Sequence, residues 1–195
     1  MTKPKNLLPF DGEVYLFPAL FTKEESSKLY DLLAESIQWK QEPIVIFGKQ
    51  IMQPRLTAWY GDEQKPYSYS GITMHPHPWS KELLEIKHRI ESVANHIFTS
   101  ALLNFYRNGY DSMGWHKDNE KELGINPVIG SVSFGSDRTF CFKHAKEKTP
   151  TQKATLNSGS FLLMKGATQH HWLHSIPKEP KITEGRINLT FRTII

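Results

Sequence analysis

In the stretch Gly185-Arg-Ile-Asn-Leu-Thr-Phe-Arg-Thr-Ile194 (GRINLTFRTI), residues 186–192 alternate polar and apolar. Successive side chains of a strand point to opposite faces, so Arg186, Asn188, Thr190 and Arg192 share one side and Ile187, Leu189 and Phe191 the other. The apolar side demands a core. If the polar side is inward too, two guanidiniums there would be strongly destabilising without anions to pair them. A solvated edge strand with exposed arginines is the alternative. The apolar residues opposite favour a strand covered on both faces, with something rich in carboxylate against the arginines, because guanidinium pairs bidentately with carboxylate.

Outward from this strand, the second half of the chain reads as short strands at regular spacing: ALLNFY, VIGSVSF, RTFCFKH, KATLN, SFLLMKG and HHWLHSI, parted by turn signals such as RNG, NSG and TEG. That pattern predicts a sandwich or jelly roll. The first half supplies helices. Thr22 and Glu25 form a capping box opening a helix with Leu29, Leu32, Leu33 and Ile37 on its buried side, and Ser80 caps a second with Leu83, Ile86, Ile90, Val93 and Ile97. The fold class expected is α+β, with two helices packed outside one sheet. Residues 1–10 read as a flexible tail and 11–195 as a single domain.

At 195 residues, with 38% hydrophobic and 12% aromatic content, the chain is long enough for a sizeable core. No apolar run approaches the roughly 20 residues of a membrane span. A single cysteine excludes an internal disulfide, and the first residues lack a signal core. The reading is an intracellular monomer, in a bacterial cytoplasm or a eukaryotic nucleus. A net charge of +4 leans weakly towards polyanionic partners.

The chemistry-bearing stretch is GWHKDNE (Gly114–Glu120). His116 and Asp118 stand at i and i+2, so on extended backbone an imidazole nitrogen and a carboxylate oxygen converge. A metal needs more ligands, and HHWLHSIP supplies His174 on a later strand. Two histidines and a carboxylate leave about three positions open, the facial set of non-haem Fe(II) oxygenases. Zinc competes, although no cysteine pattern marks a structural zinc site. Asn104 and Tyr106 share a strand face just ahead of this pair. His75 and His77 lie in a proline-broken loop, and these, His144, His170 and His171 are not expected as ligands.

In combination, LNFYRNGYDSMGWHKDNEKEL, PVIGSVSFGSDRTFCFKH, GSFLLMKGATQHHWLHSIP and RINLTFR resemble the AlkB-type Fe(II)/2-oxoglutarate dioxygenases, nearest to the subgroup acting on duplex DNA. The resemblance implies a double-stranded β-helix core at about 101–195 and a nucleotide-recognition lid at about 40–75. It implies iron on His116, Asp118 and His174, and 2-oxoglutarate held by Asn104, Tyr106, Arg186, Thr190 and Arg192 with Asn188 close by. By the same resemblance O2 is the co-oxidant and alkylated DNA, duplex or single-stranded, the substrate; an RNA demethylase of the same chemistry and a non-catalytic jelly-roll binding module are the alternatives. Methyl groups on 1-methyladenine or 3-methylcytosine would leave as formaldehyde.

A base inside a duplex must leave the stack to be oxidised. The stretch IVIFGKQ resembles the hairpin finger of duplex-acting members, with Phe47 as the wedge, Gly48 for the turn and Lys49 near phosphate. A plain core strand is the competing reading. Tyr67, Ser68 and Tyr69 match positions lining a base pocket, Arg55 and Arg138 match polar contacts near base or backbone, and Glu120 matches a carboxylate suited to cationic bases. Asn119 departs from the subgroup, where aspartate is expected, which bears on base preference. Lys143, Lys146, Lys148 and Lys153 would track phosphates or simply be solvated.

Overall fold

The computed structural model describes residues 4–46, 48–62, 67–69, 72–74 and 76–195, with the side chains at 45–46, 67–69 and 72–74 outside that description. In chain order the elements are β1 (Glu13–Phe17), α1 (Lys23–Ser36), β2 (Pro43–Ile46), β3 (Lys49–Met52), β4 (Leu56–Gly61), β5 (Tyr67–Tyr69), β6 (Ile72–Met74) and α2 (Lys81–Ala94). Then come β7 (Ser100–Tyr106), β8 (Met113–His116), β9 (Ile129–Gly135), β10 (Arg138–His144), β11 (Gln152–Leu156), β12 (Ser160–Lys165), α3 (Thr168–His171), β13 (Trp172–Ile176) and β14 (Arg186–Arg192).

Two antiparallel sheets make the body. The larger runs β1-β12-β9-β14-β7-β4 and the smaller β11-β10-β13-β8. All seven residues of β14 are buried, so the edge-strand reading fails. Its odd-numbered residues Ile187, Leu189 and Phe191 join Leu33, Ile37, Leu83, Ile86 and Ile90 of the helical layer in one core. Its even-numbered residues face the smaller sheet. The jelly-roll expectation holds, with both helices outside the larger sheet.

Both helix starts form as the sequence requires. Thr22 Oγ1 accepts from Glu25 N and a Glu25 carboxylate oxygen from Thr22 N, while Ser80 Oγ accepts from Leu83 N. The buried stripes are narrower than expected. Leu32 is 38% exposed because it sits one position round from Leu33, which takes the core-facing place. Ile97 is 71% exposed because α2 stops at Asn95, whose left-handed conformation turns the chain away.

Residues 4–10 also differ from expectation. Leu8 is buried beside Trp172, Asn6 bonds the backbone of Leu8, Gly12 and Val14, and Trp172 Nε1 donates to Phe10 O. An amide at position 6 and an apolar side chain at position 8 suffice to hold the segment down, which low sequence patterning did not signal.

Arg89 grips Glu25 with two hydrogen bonds of 2.9 and 2.8 Å, tying α2 to α1. Those bonds, with the Thr22 backbone, lower the Glu25 carboxyl from 4.5 to about 2. Because the folded value is depressed, this contribution is complete above the unfolded value and fades as pH falls towards the folded one. Glu25→Ala should lower Tm by roughly 2–4 °C at pH 7, as loss of a cap worth about 1 kcal/mol implies. Thermal unfolding at pH 7 and pH 3 checks it: the gap from the parent protein should narrow in acid, and a constant gap would exclude the ion pair as its source.

Candidate metal and dicarboxylate site

β8 and β13 are neighbours in the smaller sheet, with His116 directly opposite His174. The ladder alone places these two imidazoles, whose ring centroids lie 4.2 Å apart. Asp118 stands just past the end of β8, off the ladder, contrary to the expectation of one continuous extended pair. Its carboxylate is carried to the histidines by other bonds. Arg192 Nη2 lies 2.9 Å from Asp118 Oδ1, and the Asp118 N–H donates to Gln169 Oε1 at 3.0 Å. The candidate ligand atoms of His116, Asp118 and His174 all fall within 4.8 Å of one another.

Protonation states suit a cation. His116 Nδ1 lies 2.8 Å from Gly114 O and donates to it, which leaves Nε2 as the ring nitrogen turned towards Asp118. Burial alone would raise the Asp118 carboxyl, but Arg192 and the two imidazoles overcome it and hold it at about 2. Burial, with His116 and Arg192 adding to it, pushes His174 down to about 3. At neutral pH Asp118 and His174 therefore present the lone pairs that metal ligation requires. Two nitrogens and one carboxylate oxygen match the facial Fe(II) set, and would also suit zinc.

The facing wall comes from β14, β7 and β9, aligned so that Arg186 opposes Tyr106 and Gly135, and Asn188 opposes Asn104 and Ser133. Arg186 is completely enclosed. Its Nη2 donates to Ser133 Oγ at 2.9 Å, while Nε and Nη1 have no hydrogen-bond partner among the described residues. Its guanidinium lies 5.2 Å from the Tyr106 ring centroid. Burial lowers it to about 10, which still leaves it charged at neutral pH. Idle buried donors on a cation are costly unless an anion meets them. Since Arg192 is tied to a metal ligand and Arg186 stands six residues along the same strand, the wall has one guanidinium at each end. A dicarboxylate such as 2-oxoglutarate fits this arrangement, with Arg192 at the metal end and Arg186 at the other.

Two further polar side chains are held by protein at this wall. The Asn188 amide donates to Ser131 Oγ and Val132 O and accepts from Thr190, so it is braced in the wall while lining the same cleft as Asn104, Thr190 and Arg192. Arg55 is buried, and its Nε donates to Asn104 Oδ1 at 2.7 Å. A guanidinium only donates, so this bond fixes the Asn104 amide with its oxygen towards Arg55 and its nitrogen the other way. Arg55 thus orients Asn104.

Arg138 is misplaced by sequence reasoning. Only 1% exposed, it bonds Glu179 and the backbone oxygens of Asn108, Asp111 and Pro177, so it knots two loops together and faces no substrate. Its planar fork of donors suits that task. Asn119 is exposed and Glu120 half-buried on the turn after Asp118. Gly48, at φ +74, and Lys49 are exposed in the β2–β3 ribbon. Phe47, the side chains of Tyr67, Ser68 and Tyr69, and His75 lie outside the described residues. Lys146, Lys148 and Lys153 are exposed, and Lys143 Nζ lies 4.6 Å from the Trp115 ring centroid.

Asp11, His144 and His171 form a second cluster of possible ligands. His144 Nδ1 accepts the Glu147 and Lys146 backbone N–H groups, so its proton sits on Nε2 and no lone pair there is free for a metal. Sequence reasoning missed Ser131, Ser133 and Gln169. The two serines were visible as the polar positions alternating in GSVSFG; Gln169 carried no such signal.

Replacing Arg192 with Met would leave the Asp118 carboxylate buried and unpaired, a loss of about 3–5 kcal/mol that should lower the Tm of the metal-free protein by roughly 6–20 °C. Calorimetry in chelator and then in Mn(II) measures it, and the added cation should recover part of the loss. A Tm unchanged in chelator would show that the pair contributes nothing.

The 2OG-Fe(II) oxygenase superfamily matches residues 13–192 of this chain. The human alpha-ketoglutarate-dependent dioxygenase alkB homolog 3 is 42% identical, over 94% of this chain and 66% of that relative, and the rat protein, also 42% identical, is covered to 64%. The chain thus spans about two thirds of the length of these relatives. The human DNA oxidative demethylase ALKBH2 is 35% identical, over 92% of this chain and 72% of its own length. The solved structure of OsALKBH1 superposes with a TM-score of 0.67 at 16% identity, over 95% of this chain and 99% of that one, a likeness that concerns the fold alone. On the family match and these identities, the chain belongs to the AlkB-type dioxygenases of the 2OG-Fe(II) oxygenase superfamily, whose members use Fe(II), 2-oxoglutarate and O2.

Proposed function

We propose that this chain removes N-linked methyl groups oxidatively from DNA bases, 1-methyladenine and 3-methylcytosine, in duplex as well as single strands. The observation carrying the reading is the His116–Asp118–His174 cluster facing a wall with a buried guanidinium at either end. When bound, iron and 2-oxoglutarate supply the oxidising power, O2 and 2-oxoglutarate yielding succinate and carbon dioxide while the methyl carbon is hydroxylated and lost as formaldehyde.

The chain's own residues position and exclude. His116, Asp118 and His174 hold the cation, and Arg192 keeps the carboxylate ionised. Arg186 and Tyr106 take the distal carboxylate, with the Asn104 amide oriented by Arg55. The relatives' names, a DNA oxidative demethylase among them, support nucleic acid as the substrate.

Duplex reach is supported by the β2–β3 ribbon, whose second strand is exposed along its whole length, Ile51 and Met52 included. A Cβ placed on Gly48 would meet nothing within 4 Å, as at a projecting tip. An apolar wedge there, Phe47 in this reading, would offset part of the few kcal/mol lost on unstacking. Tyr67 and Tyr69 would stack on the flipped base, Glu120 would meet its positive charge, and Lys146, Lys148 and Lys153 would lie along phosphates.

Formaldehyde release from oligonucleotides carrying 1-methyladenine or 3-methylcytosine, as single-stranded DNA, duplex DNA and RNA, tests the proposal. Release from both DNA forms is expected, and His116→Ala should abolish it together with most iron retention. Turnover confined to RNA would replace DNA as the substrate. Phe47→Ala should reduce duplex turnover more than single-strand turnover, and an equal loss on both would remove the wedge.

A further inference from the structure

The three candidate ligands are not held alike. His116 and His174 sit on paired strands, and their separation follows from the ladder. Asp118 lies beyond the strand end, where no ladder bond fixes its backbone, yet it must meet both histidines closely.

What fixes it is a four-residue turn. Gln169, in α3, is 1% exposed, and its Oε1 accepts the Asp118 N–H at 3.0 Å. Only the amide oxygen can accept that bond, so the amide orientation is set, and Nε2 lies 3.7 Å from Met164 Sδ, a weak acceptor. The mounting beneath Gln169 is rigid. Thr168 is fully buried, its hydroxyl accepts from Glu13 N and donates to Lys165 O, and it thereby pins the turn to β1 and β12. A second stitch runs from Lys117 Nζ to His170 O. The same turn runs straight into β13, which carries His174.

We infer that Gln169 is the positioning residue for the carboxylate ligand, and that the 168–171 turn, with Lys117 as its second stitch, holds Asp118 and His174 in one geometry. This rests on the metal role given to the cluster above. Arg192 pulls on the carboxylate from the larger sheet, while Gln169 holds the backbone from the smaller one. Without the Gln169 acceptor, the Asp118 N–H is buried and unsatisfied, and the carboxylate follows Arg192 away from the histidines.

The test is Co(II) titration of the full chain, followed by visible absorption, without 2-oxoglutarate or nucleic acid. Gln169→Met keeps the volume and removes the acceptor. It should weaken Co(II) binding by about 10- to 100-fold, the usual range for loss of a group orienting a ligand, and alter the visible bands at saturation. Gln169→Glu restores an acceptor oxygen and should recover most of the affinity. Lys117→Met, at the protein surface, should weaken binding several-fold in the same direction, which keeps the idea testable if Gln169→Met does not fold.

Unchanged affinity and bands in Gln169→Met, in Lys117→Met if the former is unfolded, or a Gln169→Glu protein as weak as Gln169→Met, would overturn the positioning role. Failure of the unaltered protein to bind Co(II) at all would instead overturn the metal reading, and the inference with it.

Discussion

One buried ion pair spans the gap between the two sheets: Arg192, at the end of β14, and Asp118, on the turn after β8. Everything chemical in the molecule is arranged around it. A buried pair is weak evidence of stability in itself, because desolvation offsets much of the attraction. Its contribution is location. It keeps a carboxylate ionised at low dielectric and holds it against two imidazoles.

The surroundings divide into groups that face the cleft and groups that hold those in place. Arg186 faces it with unused donors, whereas Arg138 and Gln169 turn their polar atoms onto protein. That division is economical with conformational freedom. Each cleft-facing side chain is restrained by a neighbour whose own orientation is set by a donor–acceptor constraint, so little ordering remains to be done when ligands arrive.

Much of this was legible from residue order alone. β14 could be read because its two faces differ in chemistry, and alternation converts that difference into geometry. The triad could be read because two ligands are close in the chain and the third lies in a strand-like run. Arg138 was misread, since a residue type announces what it can bond but not whether water or backbone lies within reach. Gln169 went unseen because its partner is a backbone N–H 51 residues earlier, and backbone groups leave no mark in a sequence. Ile97 fell outside its helix because periodicity was followed past Asn95, a residue type that often ends helices.

The larger sheet is ordered β1-β12-β9-β14-β7-β4, so the strand that follows every other in the chain occupies an interior slot between β9 and β7. Until it arrives, two neighbours expose unpaired edges and the helical layer lacks Ile187, Leu189 and Phe191 beneath it. Such non-local pairing slows folding and leaves edges open to wrong partners in the meantime. The same strand brings both guanidiniums. Closure of the sheet and completion of the anion wall thus depend on the same pairing of β14 with β9 and β7.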